Sequence, residues 1–397
     1  MLNGLKNKFI IFILLFGTYN ILEPVLTDSK YDPNNKVLLA VAVVAFFWFL
    51  ILKKIHDSAI MGLFGVIGFS FVFLMFEGGF SLPYYTKWIL FVISLLFYYI
   101  MLKNDDLIAD NNYKLLYLSV LLQIVFFTIE SLNSSAYTTM ESGTYLVLCF
   151  DNKNATAMHL LTLCCILILY AERVKLRVGK YNAIIPLIAF AVCLYFMVLT
   201  GSRSSLVGAL FIIPFYFLPK LKAHFTKKAA LFFVLMPFLF ACVYIVLYKA
   251  GYSDLSFLGR TIFNGRENLW LPVFEGSLSE WLFGMSGKFI RPDGIPFQLH
   301  NGVIDLIATY GIIITAAFLL MIYKLLVSLL DSHSSINKMV VICICALILQ
   351  SIGEAALFNG TRVIYICMIL MFIERGKQDG DRRINQTATR KRIQHSA

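Results

Sequence analysis

The residues best suited to chemistry in this chain are two arginines and a histidine in one long polar segment between hydrophobic blocks. The segment runs from Lys249 to His300, contains Arg260 and Arg266, and is closed by the pair His300-Asn301. A guanidinium group stays charged and can bind two phosphate oxygens at once, while an imidazole exchanges protons near neutral pH. These residue types favour a phosphate-bearing substrate and a proton transfer.

The charge of this segment is balanced, since its five cations are matched by five anions. A phosphate would therefore be held by individual arginines and not by a general basic surface. The alternative for each arginine is a surface salt bridge. His300 opens a predicted helix, whose free N–H groups attract anions. A capping or interfacial histidine is the alternative there.

A third arginine, Arg203, lies in the short polar turn Thr-Gly-Ser-Arg-Ser-Ser at 200–205. Gly201 permits a tight turn, and the serine hydroxyls add donors for an anion. The positive-inside rule disfavours an arginine on the outer side, and one between two hairpinned helices would lie close to the bilayer interface. A side chain that snorkels from a helix end is the alternative.

Three ionisable residues fall within predicted spans: His159, Asp305 and Glu354. Such residues usually face the interior of a bundle or a wet cavity. His159 and Glu354 lie near the same end of their spans as the polar segment, which favours a polar cavity at that end. Whether they bind a ligand or pair with other side chains stays open.

The rest of the chain is apolar enough to place these residues at a membrane. Of 397 residues, 59% are hydrophobic and 14% charged, and the mean hydropathy is +0.78, whereas an ordinary soluble domain is roughly a quarter charged. Long apolar runs predict helices rather than barrel strands. We predict an all-α, polytopic transmembrane helical bundle of about twelve spans: 9–22, 37–52, 59–76, 87–102, 114–129, 155–170, 182–200, 204–219, 229–248, 301–323, 339–357 and 361–373.

Two apolar pieces do not fit a simple span. Gly143 to Phe150 is too short to cross a bilayer and is expected to be re-entrant or interfacial. Leu269 to Ile290 mixes aromatic with polar residues, which predicts one or two short helices at the headgroup level.

The distribution of positive charge predicts the orientation. Lysine and arginine divide 23 to 11 between the two sides of these spans, so both termini are expected in the cytoplasm and the 249–300 loop outside it. Residues 1–374 then form one membrane domain with an extracytoplasmic catalytic loop at 249–300. Residues 375–397 form a disordered, basic, cytoplasmic tail. The run 9–22 is interpreted as an uncleaved first helix.

Several classes of function are disfavoured. The net charge of +11 is explained by topology signals, and no nucleic-acid-binding motif is visible, so no nucleic acid partner is expected. The chain lacks a nucleotide loop, a zinc motif and an acidic metal triad. Neither a metal nor a cofactor is expected. Most of the eight cysteines lie in apolar runs, where a thiol packs as a small hydrophobe.

Four motifs resemble, in their order, those of the O-antigen ligase and O-antigen polymerase superfamily of bacterial surface-glycan enzymes. They are Asp-Asn-Lys-Asn-Ala at 151–155, Thr-Gly-Ser-Arg-Ser at 200–204, Asn-Gly-Arg-Glu-Asn-Leu-Trp at 264–270 with Leu-Phe-Gly at 282–284, and Leu-His-Asn-Gly at 299–302 with Tyr-Gly-Ile at 310–312. The resemblance covers residues 150–325, and the first 140 residues match in hydropathy only.

The resemblance implies a metal-independent glycosyltransferase of the bacterial cytoplasmic (inner) membrane. Its donor would be an undecaprenyl-diphosphate-linked oligosaccharide, and its acceptor a second glycan at the outer face. Arg203 and Arg266 would hold the diphosphate, and His300 would serve the acceptor hydroxyl or the leaving group. The further candidate substrate-binding residues are Arg260, Asn301, Glu267, Asn154 and His159.

The sequence does not decide between a polymerase of lipid-linked repeat units, which builds O-antigen or capsule, and a ligase that transfers the glycan to the lipid A-core of lipopolysaccharide. We predict the polymerase, with the ligase as the alternative. A lipid or glycan transporter is a third alternative, but it predicts interrupted helices with charges near the midplane. The expected partners are the lipid-linked donor, the glycan acceptor, the bilayer and a protein that regulates chain length.

Overall fold

The computed structural model describes residues 110–140, 143–150, 152–252, 256–257, 260–261, 263, 265–285, 299–332, 334–354 and 363–374. Within these ranges the chain is mostly helical, as predicted. Four helices are long and apolar enough to cross a membrane, at 153–177, 181–200, 227–249 and 302–331. The predicted spans before residue 110 and the tail 375–397 lie outside the described residues.

The helices and strands of the described ranges follow one another in this order: α1 (Asp110–Glu130), β1 (Tyr137–Met140), β2 (Gly143–Leu146), α2 (Lys153–Arg177), α3 (Ile184–Thr200), α4 (Arg203–Phe217), α5 (Pro219–Ala223), α6 (Lys227–Lys249), β3 (Ser256–Phe257), β4 (Arg260–Thr261), α7 (Arg266–Phe274), α8 (Leu278–Phe283), α9 (Gly302–Asp331), α10 (Ser335–Gln350) and α11 (Val363–Leu370). Short 3-10 helices precede β1, α2 and α3. Each two-stranded sheet is an antiparallel hairpin.

Eight of the predicted spans coincide with helices, namely α1, α2, α3, α4, α6, α9, α10 and α11. Some of these helices end at other residues than the predicted spans, because hydrophobicity is a poor guide to helix ends. Helix α9 continues eight residues beyond the predicted end at 323, to Asp331. Helix α10 stops at Gln350 although the predicted span runs to 357, because the chain turns there and the Ser351 carbonyl accepts a hydrogen bond from Gly302 N–H.

The segment 143–150 forms part of a hairpin, and its re-entrant or interfacial position stays a prediction. Its first half is strand β2, which pairs with β1, and its second half is a turn of 3-10 helix. The ring of Tyr145 lies against Gly201, where a Cβ would be 2.6 Å from the tyrosine ring. The alternation of inward and outward residues that is typical of a strand covers only a few residues here and does not stand out from an apolar run. The sequence alone therefore did not indicate a hairpin.

Small residues let the helices of the core approach closely, as is usual between membrane helices. Helix α4 packs on α10 and α2 at Gly208. A Cβ at Gly208 would lie 2.9 Å from both the carbonyl oxygen of Ala346 and Cδ2 of Leu161. The thiols of Cys165 and Cys343 each approach the other residue's backbone carbonyl at 3.8 Å. These positions hold the helices in contact without space for larger side chains.

Consecutive long helices run in opposite directions and give the bundle two distinct ends. One end, called here the ion-pair end, holds a buried pair between Glu172 and Lys222 and an exposed pair between Lys227 and Asp331 at 2.7 Å. The other end holds the turn at Gly201, helix α7, the start of α9 and residues 351–354. Most sequence-predicted site residues lie at this second end.

The polar segment is fastened to α9 at a kink. Gly311 has a φ of 81° and a ψ of 168° inside the helix, a conformation that is essentially restricted to glycine. A Cβ at Gly311 would lie 2.1 Å from the carbonyl oxygen of Leu282, in α8. Just after α8, Met285 N–H donates to the Ala308 carbonyl at 2.7 Å. Backbone from the polar segment therefore fits into the space that the kink opens.

Candidate active site

The start of α9 is fixed by Asn301, which was predicted to lie at a helix N-terminus. Its side-chain oxygen accepts from the N–H groups of Val303 and Ile304 at 3.0 and 3.1 Å, as an N-cap does. Its amide nitrogen donates to the carbonyls of Pro237 and Ile352 at 2.9 and 3.2 Å. Asn301 is fully buried and ties together α6, α9 and the turn after α10.

His300 precedes this cap in a conformation that is uncommon for a residue with a side chain, with a φ of 51°. Its Nδ1 lies 3.2 Å from Oε2 of Glu354. An ionised carboxylate can only accept, so Nδ1 is the donor of this contact, and Nε2 is the ring nitrogen that can take up a proton. The carboxylate is 10% exposed and the imidazole 37%, so the histidine faces outward from a carboxylate behind it.

Arg266 reaches the same carboxylate from the other side. It is the first residue of α7, and its Nη2 donates to the Gly353 carbonyl at 2.8 Å and lies 3.8 Å from Oε1 of Glu354. One guanidinium nitrogen is therefore anchored on residues 353–354. The side chain keeps 26% of its exposure. Arg266 and His300, 34 positions apart in sequence, meet at one glutamate.

Hydrogen bonds between protein groups hold helix α7 in place. Glu267 accepts from the Gly265 N–H at 3.0 Å and from the Tyr244 hydroxyl at 2.8 Å. The fully buried Trp270 donates to the Leu299 carbonyl, next to His300. These contacts set the position of Arg266 relative to His300. They also occupy both carboxylate oxygens of Glu267, one of the predicted substrate-binding residues.

The turn that carries Arg203 lies against the same segment. Gly201 adopts a left-handed conformation, with a φ of 66°, which confirms the predicted tight turn. A Cβ at Gly353 would lie 3.2 Å from Cβ of Ser204 and 3.5 Å from Nη1 of Arg266. Ser204 and Arg266 thus meet over one glycine. Arg203, the first residue of α4, is exposed.

No contact between this cluster and the remaining predicted residues is among those that the structure describes. His159 is buried within the bundle, where Nε2 lies 2.8 Å from Oε1 of Gln123 and Nδ1 lies 3.1 Å from the Tyr365 hydroxyl. Asn154 is in the first turn of α2, half-buried. Arg260 belongs to β4, and its side chain lies outside what the structure describes.

Glu354 and Gly353 are the residues that sequence reasoning did not assign to the site. An ionisable residue near the end of an apolar run was the only signal for Glu354. Gly353 has none, since its role depends on two side chains that are distant in sequence.

The fold and this cluster define a membrane protein in which Arg266, His300 and Glu354 meet at one end of the described helices. Residues 188–319 match the family model of the O-antigen ligase. That is 132 of 397 residues, from α3 into α9, and it includes Arg203, Arg266 and His300. The match confirms the resemblance to the O-antigen ligase and polymerase superfamily and supports a membrane enzyme of that type in the bacterial inner membrane. No curated protein and no solved structure matches the chain.

Proposed function

We propose that the protein is a membrane glycosyltransferase that polymerises undecaprenyl-diphosphate-linked oligosaccharide repeat units into surface polysaccharide, as O-antigen or capsule. The observation that carries the proposal is the meeting of Arg266 and His300 at Glu354, with the Arg203 turn against Gly353. Fixed cations beside a basic imidazole suit a reaction in which a diphosphate leaves and a hydroxyl loses its proton.

The proposed reaction is a single displacement. A hydroxyl oxygen of the acceptor glycan attacks the anomeric carbon of the donor sugar, and the bond between that carbon and the phosphate oxygen breaks. The hydroxyl proton passes to Nε2 of His300, and the electron pair leaves with the lipid diphosphate. Arg203 and Arg266 stabilise the charge that develops on the leaving oxygen. One displacement inverts the anomeric configuration.

Glu354 has a positioning role in this proposal. Its carboxylate accepts the Nδ1 hydrogen of His300, which keeps Nε2 free of hydrogen, and it stabilises the imidazolium that forms after proton transfer. Its second oxygen faces Arg266 at 3.8 Å and orients the guanidinium. The energy of the reaction is stored in the donor, so neither a cofactor nor a metal is part of the proposal.

A ligase is the second candidate, because the matching family model is described as O-antigen ligase. Both enzymes would use the same donor and the same leaving group. They differ in the acceptor, which is a second lipid-linked repeat unit for a polymerase and the lipid A-core for a ligase. The residues around Glu354 serve the chemistry that the two reactions share.

Reconstitution separates these candidates. Purified protein in phospholipid nanodiscs, given a synthetic lipid-diphosphate oligosaccharide alone, is expected to produce a ladder of longer chains, also with EDTA present. A ligase forms product only after lipid A-core is added, and this result would replace the polymerase by the second candidate. Movement of the donor across vesicle membranes without any new bond would identify a transporter and reject both.

The proposal includes the setting of the enzyme. The chain crosses the bacterial inner membrane about twelve times, with both termini in the cytoplasm and the site outside it. The bilayer delivers the lipid-linked donor, the glycan acceptor arrives at the outer face, and a partner protein regulates chain length. The charge bias of the loops supports this orientation.

A further inference from the structure

The turn between α3 and α4 is enclosed by other parts of the chain, although Arg203 itself is exposed. We call residues 200–205 the arginine turn. Its residues Thr200, Ser202 and Ser205 are buried, and a hydroxyl group that is buried without a partner is costly. The partners of these hydroxyl groups therefore show what holds the turn in place.

A chain of hydrogen bonds joins the arginine turn to the last residue of α10. Gln350 Nε2 donates to Oγ of Ser205 at 2.8 Å, and that oxygen lies 3.2 Å from Oγ of Ser202. Because Ser205 Oγ accepts from Gln350, its own hydrogen is available for Ser202. Gln350 is 1% exposed, so this bond is shielded from water. One buried glutamine thus fixes a serine on each side of Arg203.

The residues that follow Gln350 contact the other groups of the candidate site. The Gly353 carbonyl accepts from Arg266 at 2.8 Å, and the Glu354 carboxylate lies 3.2 Å from Nδ1 of His300. The residue that holds the arginine turn therefore belongs to the same short segment, 350–354, as the partners of Arg266 and His300.

A second contact restricts the arginine turn from strand β2. A Cβ at Gly201 would lie 2.6 Å from Cε1 of Tyr145, so the tyrosine ring occupies the place of a side chain. Tyr145 is itself buried, and Nζ of Lys153 lies 3.8 Å from the centroid of its ring. The turn is thus in contact with α10 through Ser205 and with the hairpin through Gly201.

We infer that Gln350 is a positioning residue for Arg203, which acts through Ser205 and Ser202 by fixing the backbone from which the arginine side chain extends. The inference rests on the proposed function for the role of Arg203 at the diphosphate. An arginine on a fixed turn meets a developing charge with little reorganisation, and this is what electrostatic stabilisation of a transition state requires. Gln350 has no contact with substrate in this proposal.

Hydrogen–deuterium exchange tests the hold of Gln350 on the turn without any turnover. Gln350→Leu removes the donor and keeps a side chain of similar size. Loss of one buried hydrogen bond corresponds to a roughly tenfold change in a local opening equilibrium. We therefore expect amides of peptides that span 199–206 to exchange about tenfold faster in detergent, with unchanged exchange in peptides from α6.

Asn337→Leu is the matched control, because Asn337 is buried on the same helix at the ion-pair end. It donates to Ser332 Oγ at 2.8 Å and to the Glu374 carbonyl at 2.7 Å. We expect this variant to leave the exchange of the arginine turn unchanged. Equal acceleration of the turn in Asn337→Leu and Gln350→Leu would reflect a general loss of stability and would overturn the inference.

Ser205→Ala removes the acceptor of the same hydrogen bond with a smaller change in packing. It is expected to accelerate exchange at 199–206 as Gln350→Leu does, and it decides the question if Gln350→Leu does not fold. Unchanged exchange at 199–206 in Ser205→Ala would show that this bond does not hold the turn.

A double-mutant cycle with Arg203 tests whether the hold on the turn serves the reaction. We expect Gln350→Leu to lower kcat/KM for the lipid-linked donor about tenfold in the parent protein, as for coupled neighbours. In the Arg203→Ala background the same change should cost less than about twofold, because the positioned group is gone. Equal losses in the two backgrounds would mean that Gln350 acts independently of Arg203.

The two proposals fail in different ways. Faster exchange of the turn in Gln350→Leu and Ser205→Ala, in a protein that forms no glycosidic bond with any acceptor, would keep the hold of Gln350 and reject the glycosyltransferase. Polysaccharide formation with equal losses in the two backgrounds of the cycle would keep the glycosyltransferase and reject the positioning role.

Discussion

At the scale of single residues, the site depends on a glutamate with two partners. Glu354 lies 3.2 Å from Nδ1 of His300 and 3.8 Å from Nη2 of Arg266. A carboxylate beside a diphosphate would repel it if it faced the substrate. Glu354 instead lies behind His300 and Arg266 and is nearly buried, so its charge orients them while they face the open side. The contribution of Glu354 to catalysis can therefore be tested separately from that of the arginines.

Replacing this carboxylate by an amide tests the separation. Glu354→Gln keeps the size of the side chain but removes the charge that stabilises the protonated ring of His300. We expect kcat to fall about 10²-fold, within the range attributed to general-base catalysis, and KM for the donor to stay constant or to decrease, because a negative charge near the diphosphate is lost. Steady-state kinetics with the lipid-linked donor measure both.

Glu354→Asp is the companion variant, since it retains the charge on a shorter arm. Partial recovery of kcat by Glu354→Asp relative to Glu354→Gln is expected. An unchanged kcat in Glu354→Gln, at an unchanged thermal unfolding midpoint, would remove Glu354 from the mechanism.

Arg203 allows a substitution that leaves the fold intact, because its side chain is exposed at the start of α4. We expect Arg203→Ala to lower kcat/KM about 10²-fold, the effect of removing one donor from a developing oxyanion. Lys249→Ala is the matched control. It removes an exposed cation that pairs with Glu275 at 2.9 Å, and such pairs contribute little. Equal losses in the two variants would indicate a general charge effect and not a specific contact.

The sequence singled out Arg203, Arg266 and His300 as candidates because each residue type carries its own chemistry and lies next to a recognisable turn or helix start. It could not identify Gly353, whose importance comes from Ser204 and Arg266 meeting over it. Nor could it separate His159 from the cluster. Hydropathy gives the depth of a residue within a span but not the direction in which the side chain points.

At the scale of elements, backbone contacts at Gly311 fix the position of the polar segment against α9. The carbonyl of Leu282 occupies the position of a side chain at Gly311, and a hydrogen bond from Met285 to Ala308 follows it. Helix α8 and the kink in α9 therefore depend on each other. Since α9 begins beside His300, a shift of this junction would also move the imidazole relative to Arg266.

Gly311→Ala tests this junction. The control is Gly251, a glycine of similar φ with no neighbouring atoms. Gly251 has a φ of 85° and no atom within 4 Å of an added Cβ, so Gly251→Ala bears only the backbone cost of roughly 1–2 kcal/mol. Gly311→Ala bears that cost and a clash with backbone. We expect the thermal unfolding midpoint in detergent to fall clearly more for Gly311→Ala, with loss of product. Equal midpoints would show that α8 does not need the kink.

Hydropathy is sufficient to predict the long helices but not the hairpin. Eight predicted spans coincide with helices, since a long apolar run in a membrane satisfies its backbone only as a helix. The hairpin of β1 and β2 was missed because pairing between 137–140 and 143–146 is a contact between segments, which neither composition nor run length reports. Asn301 was predicted to bind substrate, and its role as the cap of α9 was missed, although an asparagine directly before a helix is a local signal for a cap.

At the scale of the whole molecule, the two ends of the bundle differ in a way that predicts their location. The site end holds Arg266 and His300 at Glu354, with the turn of Arg203 next to Gly353. The ion-pair end carries Lys222 and Lys227 in salt bridges. In the predicted order of spans, the wider excess of lysine and arginine falls on the side of the ion-pair end. Positive charge of this kind remains on the cytoplasmic side during insertion, so the site end should lie outside the cytoplasm.

Single cysteines at the two ends decide this orientation. Ser279, on α8, and Lys228, at the start of α6, are both exposed and lie at opposite ends of the bundle. In intact spheroplasts, a membrane-impermeant maleimide is expected to label Ser279→Cys but not Lys228→Cys, and permeabilisation should make both react. Labelling of the parent protein's own cysteines is the background, and those described are buried apart from the partly buried Cys242. The opposite pattern would place His300 in the cytoplasm, where an acceptor glycan already exported could not reach it, and the proposed reaction would have to be given up.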